Sequence, residues 1–318
     1  GDLSKTALLI APQEMPHLVQ DVISRGDAAR GELLYWSEDL ACLKCHAIAR
    51  SGGRVGPDLS GLGTRAQIDY LVESILEPNE VIKEGFQTIN VTTLEGQLFS
   101  GVKLTESSRE LVLRDSEDRV VSILLSSIET ARPGLSLMPS GLADNLSRGE
   151  FVDLVKFLSS LGREDAYTHT DRKLVRTWRV LRNTAEVART LNIEGANAIA
   201  ISRLPQRNWL SLYSSVSGSL PMRSLDSFVL GPEEFAFLKF DIQVSSGGCF
   251  GLKLPSMDEL RLWSNGEEFK VQPRVEVVLS EGTHHSSVAI KPVRAESLTI
   301  ELVEGVPTTD HVRFVNGN

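Results

Sequence analysis

The sequence predicts a multidomain α+β protein: a mainly α domain carrying a small inserted β-meander or barrel, then a C-terminal β-sandwich. Three observations lead there. On either side of residues 79–131, apolar residues recur at the spacing that gathers them on one face of a helix. Inside that stretch the period drops to two, over short runs parted by turn residues. From about residue 171 onward the alternation returns in many short runs broken by Gly, Pro and Asn-Gly, the pattern of a sandwich. A chain of 318 residues has room for two or three domains at ~100–200 residues each.

Taken in order, residues 4–25 read as a helical segment with Leu8, Leu9, Leu18, Val19, Val22 and Ile23 apolar, interrupted by Pro12 and Pro16. The chain opens Gly1-Asp2-Leu3, with neither an initiator Met nor a signal peptide, and reads as a processed protein or an excised segment; residues 1–26 are taken as an N-terminal helical segment or linker, which the resemblance given below implies could come from a preceding domain. Asp27 is suited to cap a second helix that sets Gly31, Leu34 and Tyr35 on one face. Thr64 and Gln67 are spaced as a capping box before Ile68, Leu71, Val72 and Ile75, with Pro78 as the stop. Ser147 and Glu150 repeat that spacing before Phe151, Leu154, Val155, Leu158 and Leu161, and Gly162 ends the helix. Between these helices, 86–93, 97–104, 110–115 and 119–125 read as strands. The domains expected are therefore 27–162, with 79–131 as the insertion, and 163–318.

The residues that carry chemistry are Cys42-Leu43-Lys44-Cys45-His46. Two thiols three positions apart, followed at once by an imidazole, form the attachment signature of a c-type haem. Each thiol can add to one vinyl group, and the adjacent His46 then becomes the proximal ligand of the iron. Two other readings compete. Zinc wants four ligands and the second Cys pair is missing, since the third cysteine, Cys249, lies far along the chain. A thioredoxin-like motif would sit in a βαβ unit, and none is visible around Cys42. The four methionines are Met15, Met138, Met222 and Met257. Met138 stands in the Pro-rich loop Pro133–Pro139, an unnatural place for a core methionine, and is the candidate sixth ligand; a gap-filling core Met is the alternative. Arg54, in the Gly-rich loop after the motif, is a candidate partner for a haem propionate, against a plain surface Arg.

Gly31 with Tyr35, Cys42–His46, Gly56-Pro57-Asp58-Leu59, Met138-Pro139 and a last helix carrying Leu154 and Phe157 resemble class I cytochrome c. The resemblance implies crossing first and last helices, and a Pro57 carbonyl that orients the His46 N–H. The span from His46 to Met138 exceeds the ordinary pattern, and the β-meander accounts for the excess. With it, residues 27–162 resemble the planctomycete-type haem-binding domain, through Glu77-Pro78-Asn79, Gly85-Phe86, Gly96, Gly101, Ile128-Glu129 and Arg132-Pro133-Gly134-Leu135. The last domain resembles galactose-binding-like jelly rolls through Trp178, Trp209, Tyr213, Gly218-Ser219-Leu220, Leu262–Gly266 and Gly282–His285. Its tryptophans read as core rather than as a carbohydrate site, and His284-His285 as solvated loop residues.

These features together predict one covalent haem c, ligated by His46 and Met138, carrying single electrons to and from partner proteins or a fused dehydrogenase. The chain reads as an electron-transfer domain more than a catalyst by itself. The rivals are an open-site haem, peroxidase or gas-binding, and a glycan-binding module with an attached cytochrome. A net charge of −9 argues against nucleic acid, and no apolar run approaches the ~18 residues of a membrane span. Resemblance implies a periplasmic or otherwise exported setting, where c-type haem is attached.

Overall fold

A computed structural model describes residues 14–37, 39–195, 197–230, 234–255, 260–292, 297–303 and 312–314. Residues 1–13, half of the expected leading segment, and Met257 lie outside the described residues. The fold is mixed α+β, with several antiparallel sheets, and the chain divides into two units, residues 1–169 and 170–318. Among the described residues no helix is long and apolar enough to cross a membrane.

In unit 1, helix α1 (Met15–Arg25) buries Leu18 and Val22. Its Asp21 carboxylate accepts both Nε and Nη2 of Arg148, at 3.2 and 3.0 Å. Helix α1 packs against the last helix of the unit, so no break in packing falls at residue 26. Asp27 caps α2 (Ala28–Tyr35), its carboxylate accepting the N–H groups of Ala29 and Arg30. The one-turn helix α3 (Cys42–Cys45) is followed by a small hairpin, β1 (Ala47–Ile48) and β2 (Ser51–Gly52), then by α4 (Leu62–Arg65) and α5 (Ile68–Leu76). The capping box expected from Thr64 and Gln67 does not form. Thr64 Oγ1 instead donates back to the Gly61 carbonyl at 2.8 Å inside α4, and Gln67 makes no side-chain cap. The chain is already extended at Ala66 (φ −114°, ψ 143°), which divides the predicted helix start from its stripe.

The insertion is an antiparallel sheet of β3 (Thr88–Thr93), β4 (Leu98–Glu106), β5 (Glu110–Arg114), β6 (Val120–Leu124) and β7 (Ile128–Pro133), in the order β6-β5-β4-β3-β7. Val91, Leu111, Leu113 and Ile123 form its core. Strand β7 is an addition to the four expected. It is exposed over nearly its whole length, so it carries no alternating apolar signal. Helix α6 (Arg148–Ser160) closes the unit, started by the Ser147–Glu150 capping box that the sequence announces. It crosses α2 at Gly31, where a Cβ would stand 2.0 Å from the Asp153 carbonyl oxygen. Only glycine permits that approach. The Asp153 carboxylate accepts the Asp27 N–H and Arg30 Nε, both at 2.7 Å, locking the crossing.

Unit 2 carries two antiparallel sheets on one core. The larger has the order β10 (Trp209–Tyr213), β9 (Thr177–Leu181), β12 (Ala236–Val244), β17 (Gly282–Ile290), β14 (Leu260–Ser264), β15 (Glu267–Phe269), with β20 (Val312–Phe314) also on β12. The smaller has β16 (Arg274–Leu279), β13 (Gly248–Lys253), β19 (Glu301–Val303) and β8 (Lys173–Leu174). A two-stranded pair, β11 (Leu220–Pro221) with β18 (Ser297–Leu298), completes it. Trp178, Leu238 and Phe240 from one sheet meet Phe250, Leu252 and Val277 from the other. Where the sequence reading expected strands alone, unit 2 also holds two helices, α7 (Ala185–Glu194) and α8 (Ala198–Arg203). Val187 and Ile201 from these helices pack with Leu181, Phe237 and Trp263, so the outer face of the larger sheet is covered too.

Candidate functional site

The site begins with a backbone turn. Ala41 takes a left-handed conformation (φ 54°) and starts α3, whose single turn brings Cys42 and Cys45 to one side. The His46 N–H donates to the Cys42 carbonyl at 2.9 Å and the chain then becomes extended. The loop after the motif is tied back to it: Gly53 N–H donates to the Leu43 carbonyl, Gly56 N–H to Cys45 and Leu59 N–H to Ala47, each at 2.8 Å. Gly56 lies against the imidazole, where a Cβ would come within 2.5 Å of His46 Cε1.

His46 is held from both ends. Its carbonyl accepts the Tyr35 hydroxyl at 3.0 Å, and its Nδ1 stands 2.9 Å from the Pro57 carbonyl oxygen. A carbonyl only accepts, so Nδ1 carries the proton and Nε2 keeps a free lone pair. Burial pulls the His46 pKa below its ordinary value, outweighing the opposing pull of the Pro57 carbonyl and Asp58. The neutral ring is the form that ligates a metal. Burial pushes the Cys42 thiol up to about 11. Cys45 is raised as well, first by burial and then by the charge of Asp118.

These groups share a cavity of about 410 Å³, within the ~300–1,000 Å³ range of small-molecule sites. Cys42, Cys45, His46 and Pro57 line one part of it, and Met138 and Leu142 another. Leu71 and Ile75 of α5, Leu154 and Leu158 of α6, and Phe86 and Val102 supply further apolar wall. Five of the six residues singled out from sequence thus meet in one place. Arg54 does not line the cavity; it is exposed, and its backbone N–H donates to Asp118 Oδ2 at 3.1 Å. The cations on the wall are Arg65 and Lys83. The Arg65 guanidinium donates to the Gly61 and Asp58 carbonyls at 3.2 and 3.3 Å.

Asn79, named in the sequence only as part of a resemblance, has a structural role here. Its Oδ1 accepts the Ser136 N–H at 2.9 Å and its Nδ2 donates to Ser140 Oγ at 3.4 Å, bracketing Met138. The Met138 N–H donates to Ser136 Oγ at 3.2 Å, and Thr88 Oγ1 to the Leu135 carbonyl at 2.7 Å. The methionine loop is therefore tied to β3 and to the segment after α5.

A set of four zinc ligands does not assemble: among the described residues no three His, Cys, Asp or Glu side chains gather as a metal-holding group. In unit 2, Trp178, Trp209 and Trp263 are all buried. His284 and His285 are on β17, not in a solvated loop. His284 is buried between Asn265 and the Ser280 carbonyl, and exposed His285 pairs with Asp241 at 2.7 Å. The pairing of β17 with β12 at Asp241↔His285 accounts for the difference.

No protein-family model matches the chain, and no curated protein matches it. Among solved structures, four chains match; one is the GH31 alpha-xylosidase from Xanthomonas citri, at 10% identity and a TM-score of 0.23. That likeness covers 33% of this chain and 14% of that one, and at such a score it carries nothing for fold or site.

Proposed function

We propose that unit 1 is a c-type cytochrome domain that passes single electrons through one haem, held by thioethers at Cys42 and Cys45 and ligated by His46 and Met138. One observation carries the reading: a single cavity has on its walls two thiols, a neutral imidazole with its Nδ1 engaged by a carbonyl, and a thioether from a distant loop. A haem bound there would supply one-electron chemistry between ferric and ferrous iron. The Pro57 carbonyl fixes the tautomer and ring plane of His46 and strengthens it as a donor. The Met138 thioether favours ferrous iron and so raises the potential relative to a second imidazole. The apolar wall excludes water, which raises it further. Arg65 and Lys83, rather than Arg54, are the wall cations that carboxylate substituents would meet.

The crossing at Gly31 and the engaged Nδ1 of His46 support the resemblance to class I cytochrome c, and the inserted sheet supports the planctomycete-type variant. An exported setting and separate redox partners go with that reading. The jelly-roll or galactose-binding likeness of unit 2 rests on sequence alone. Its buried tryptophans give a glycan-binding reading no aromatic platform. The open-site reading needs an acid–base group facing the iron; among the described cavity residues His46 is the only histidine, and Asp58, Tyr70 and Lys83 are among the other side chains of that chemistry.

The test is an absorption spectrum of oxidised and reduced protein, matured in a host that attaches c-type haem. Covalent haem and the weak red band of Met-to-iron coordination are expected. Met138→Ala should abolish that band, lower the midpoint potential and open the iron to carbon monoxide. Wild-type protein that binds carbon monoxide at once would favour the open site, and protein that takes up no haem would overturn the reading.

A further inference from the structure

Why the insertion sits where it does can be read from its tip, on the premise of a haem held at Cys42–His46. The turn between β5 and β6 closes on its own bonds. The Asp115 carboxylate accepts the N–H groups of Glu117 and Arg119, each at 2.9 Å, and Arg119 Nε at 2.8 Å. The Asp118 N–H donates to the Asp115 carbonyl at 3.1 Å. The Asp118 carboxylate also reaches beyond the turn. It reaches out of the sheet to accept the N–H of Arg54, and it pairs with the Arg114 guanidinium. Asp118 also holds a left-handed backbone, φ 64°, a region Asp and Asn tolerate better than other side chains.

Arg54 stands between Gly53 and Gly56, whose N–H groups are both bonded to the haem motif. The loop is thus fastened to the motif on two sides and to the insertion in the middle. Asp118 and Arg114 are only 32% and 14% exposed, so solvent ions screen them less than they would an open surface pair.

We propose that the tip of the β insertion is a charged clamp on the haem loop, in which Asp118, balanced by Arg114, holds the Arg54 segment and sets the midpoint potential of the site. Asp118 is a positioning residue with an electrostatic effect. Oxidised iron carries one more positive charge than reduced iron, so a nearby anion favours the oxidised form and a nearby cation the reduced form.

The experiment is a spectroelectrochemical titration of the full-length, haem-loaded protein. Asp118→Asn keeps shape, acceptor and left-handed tolerance while removing the charge, and should shift the midpoint potential upward. Arg114→Gln should shift it downward. Glu117→Gln, in the same turn but paired with exposed Arg119, should leave it unchanged. A purely structural role would not give opposite signs. Loaded Asp118→Asn and Arg114→Gln proteins that both keep the wild-type potential, or shift the same way, overturn the clamp. If Asp118→Asn fails to fold, the sign of Arg114→Gln decides alone. Wild-type protein without covalent haem would instead overturn the premise, a distinct result.

Discussion

Tyr35 in unit 1 and Trp178 in unit 2 are aromatic side chains of nearly equal burial, 1% and 0% exposed. Their surroundings differ. Trp178 packs edge-on to Phe240 with ring centroids 5.4 Å apart, and its indole N–H donates to Ser214 Oγ at 2.9 Å, so all it touches is interior. Tyr35 packs on Phe157 at 5.7 Å, yet its hydroxyl serves His46 and its ring lines the cavity. Unit 2 fills its own centre with side chains from its two sheets. Unit 1 sets its largest fully buried side chain, Tyr35, to hold a wall. The lesson is that equal burial serves two ends in one chain: Trp178 completes a core, whereas Tyr35 braces the wall of a cavity.

That contrast can be broken most severely at the motif. Cys42→Ala with Cys45→Ala should abolish covalent haem and collapse the thermal transition of unit 1, leaving that of unit 2 in place. Calorimetry with a haem assay checks both, and a joint collapse would deny the units their independence. Next in size, Trp178→Ala should cost unit 2 about 3–5 kcal/mol, the range for removing a large buried aromatic, read from denaturant unfolding. Haem content should not change. Gly31→Ala forces a methyl against the Asp153 carbonyl and should cost unit 1 about 1–3 kcal/mol, seen as a shift of its transition alone. The smallest effect concerns charge. The Arg172 guanidinium holds the Glu301 carboxyl below the usual carboxylate range, against the opposing effect of burial. A depressed folded pKa adds stability above the unfolded value and loses it as pH falls through the folded one. Arg172→Gln should therefore cost unit 2 no more than about 1 kcal/mol at neutral pH, with the two stability curves merging in acid.

What was legible in the sequence was local. Asp27 as a cap, Ser147–Glu150 as a box and Cys42–His46 as a motif each complete themselves within a few residues, and each is found where the sequence put it. Met138, from its Pro-rich loop, and Pro57, through resemblance, were legible too, and they do share the cavity with His46. Three failures have physical causes. The Thr64 hydroxyl could accept the Gln67 N–H as a cap or donate to a preceding carbonyl, and it donates to Gly61. Strand β7 exposes nearly every side chain, so pairing with β3 rather than burial defines it. Arg54 was chosen because its loop passes the site, but a loop position does not say which way a side chain faces. Arg65, further along the chain in α4, is the one on the wall.

The crossing of α2 and α6 has a consequence in time. Asp27 and Asp153, bonded to each other, are 126 residues apart in sequence, so the walls of the cavity close late, against the entropy of a long loop. The motif itself is finished within five residues. On the proposed reading, an attachment catalyst would need to read only an unfolded stretch of chain, and folding would proceed around a cofactor already in place. A chain cut before Arg148, lacking α6 entirely, should still take up covalent haem while showing no red band, and mass spectrometry with visible spectra would check it.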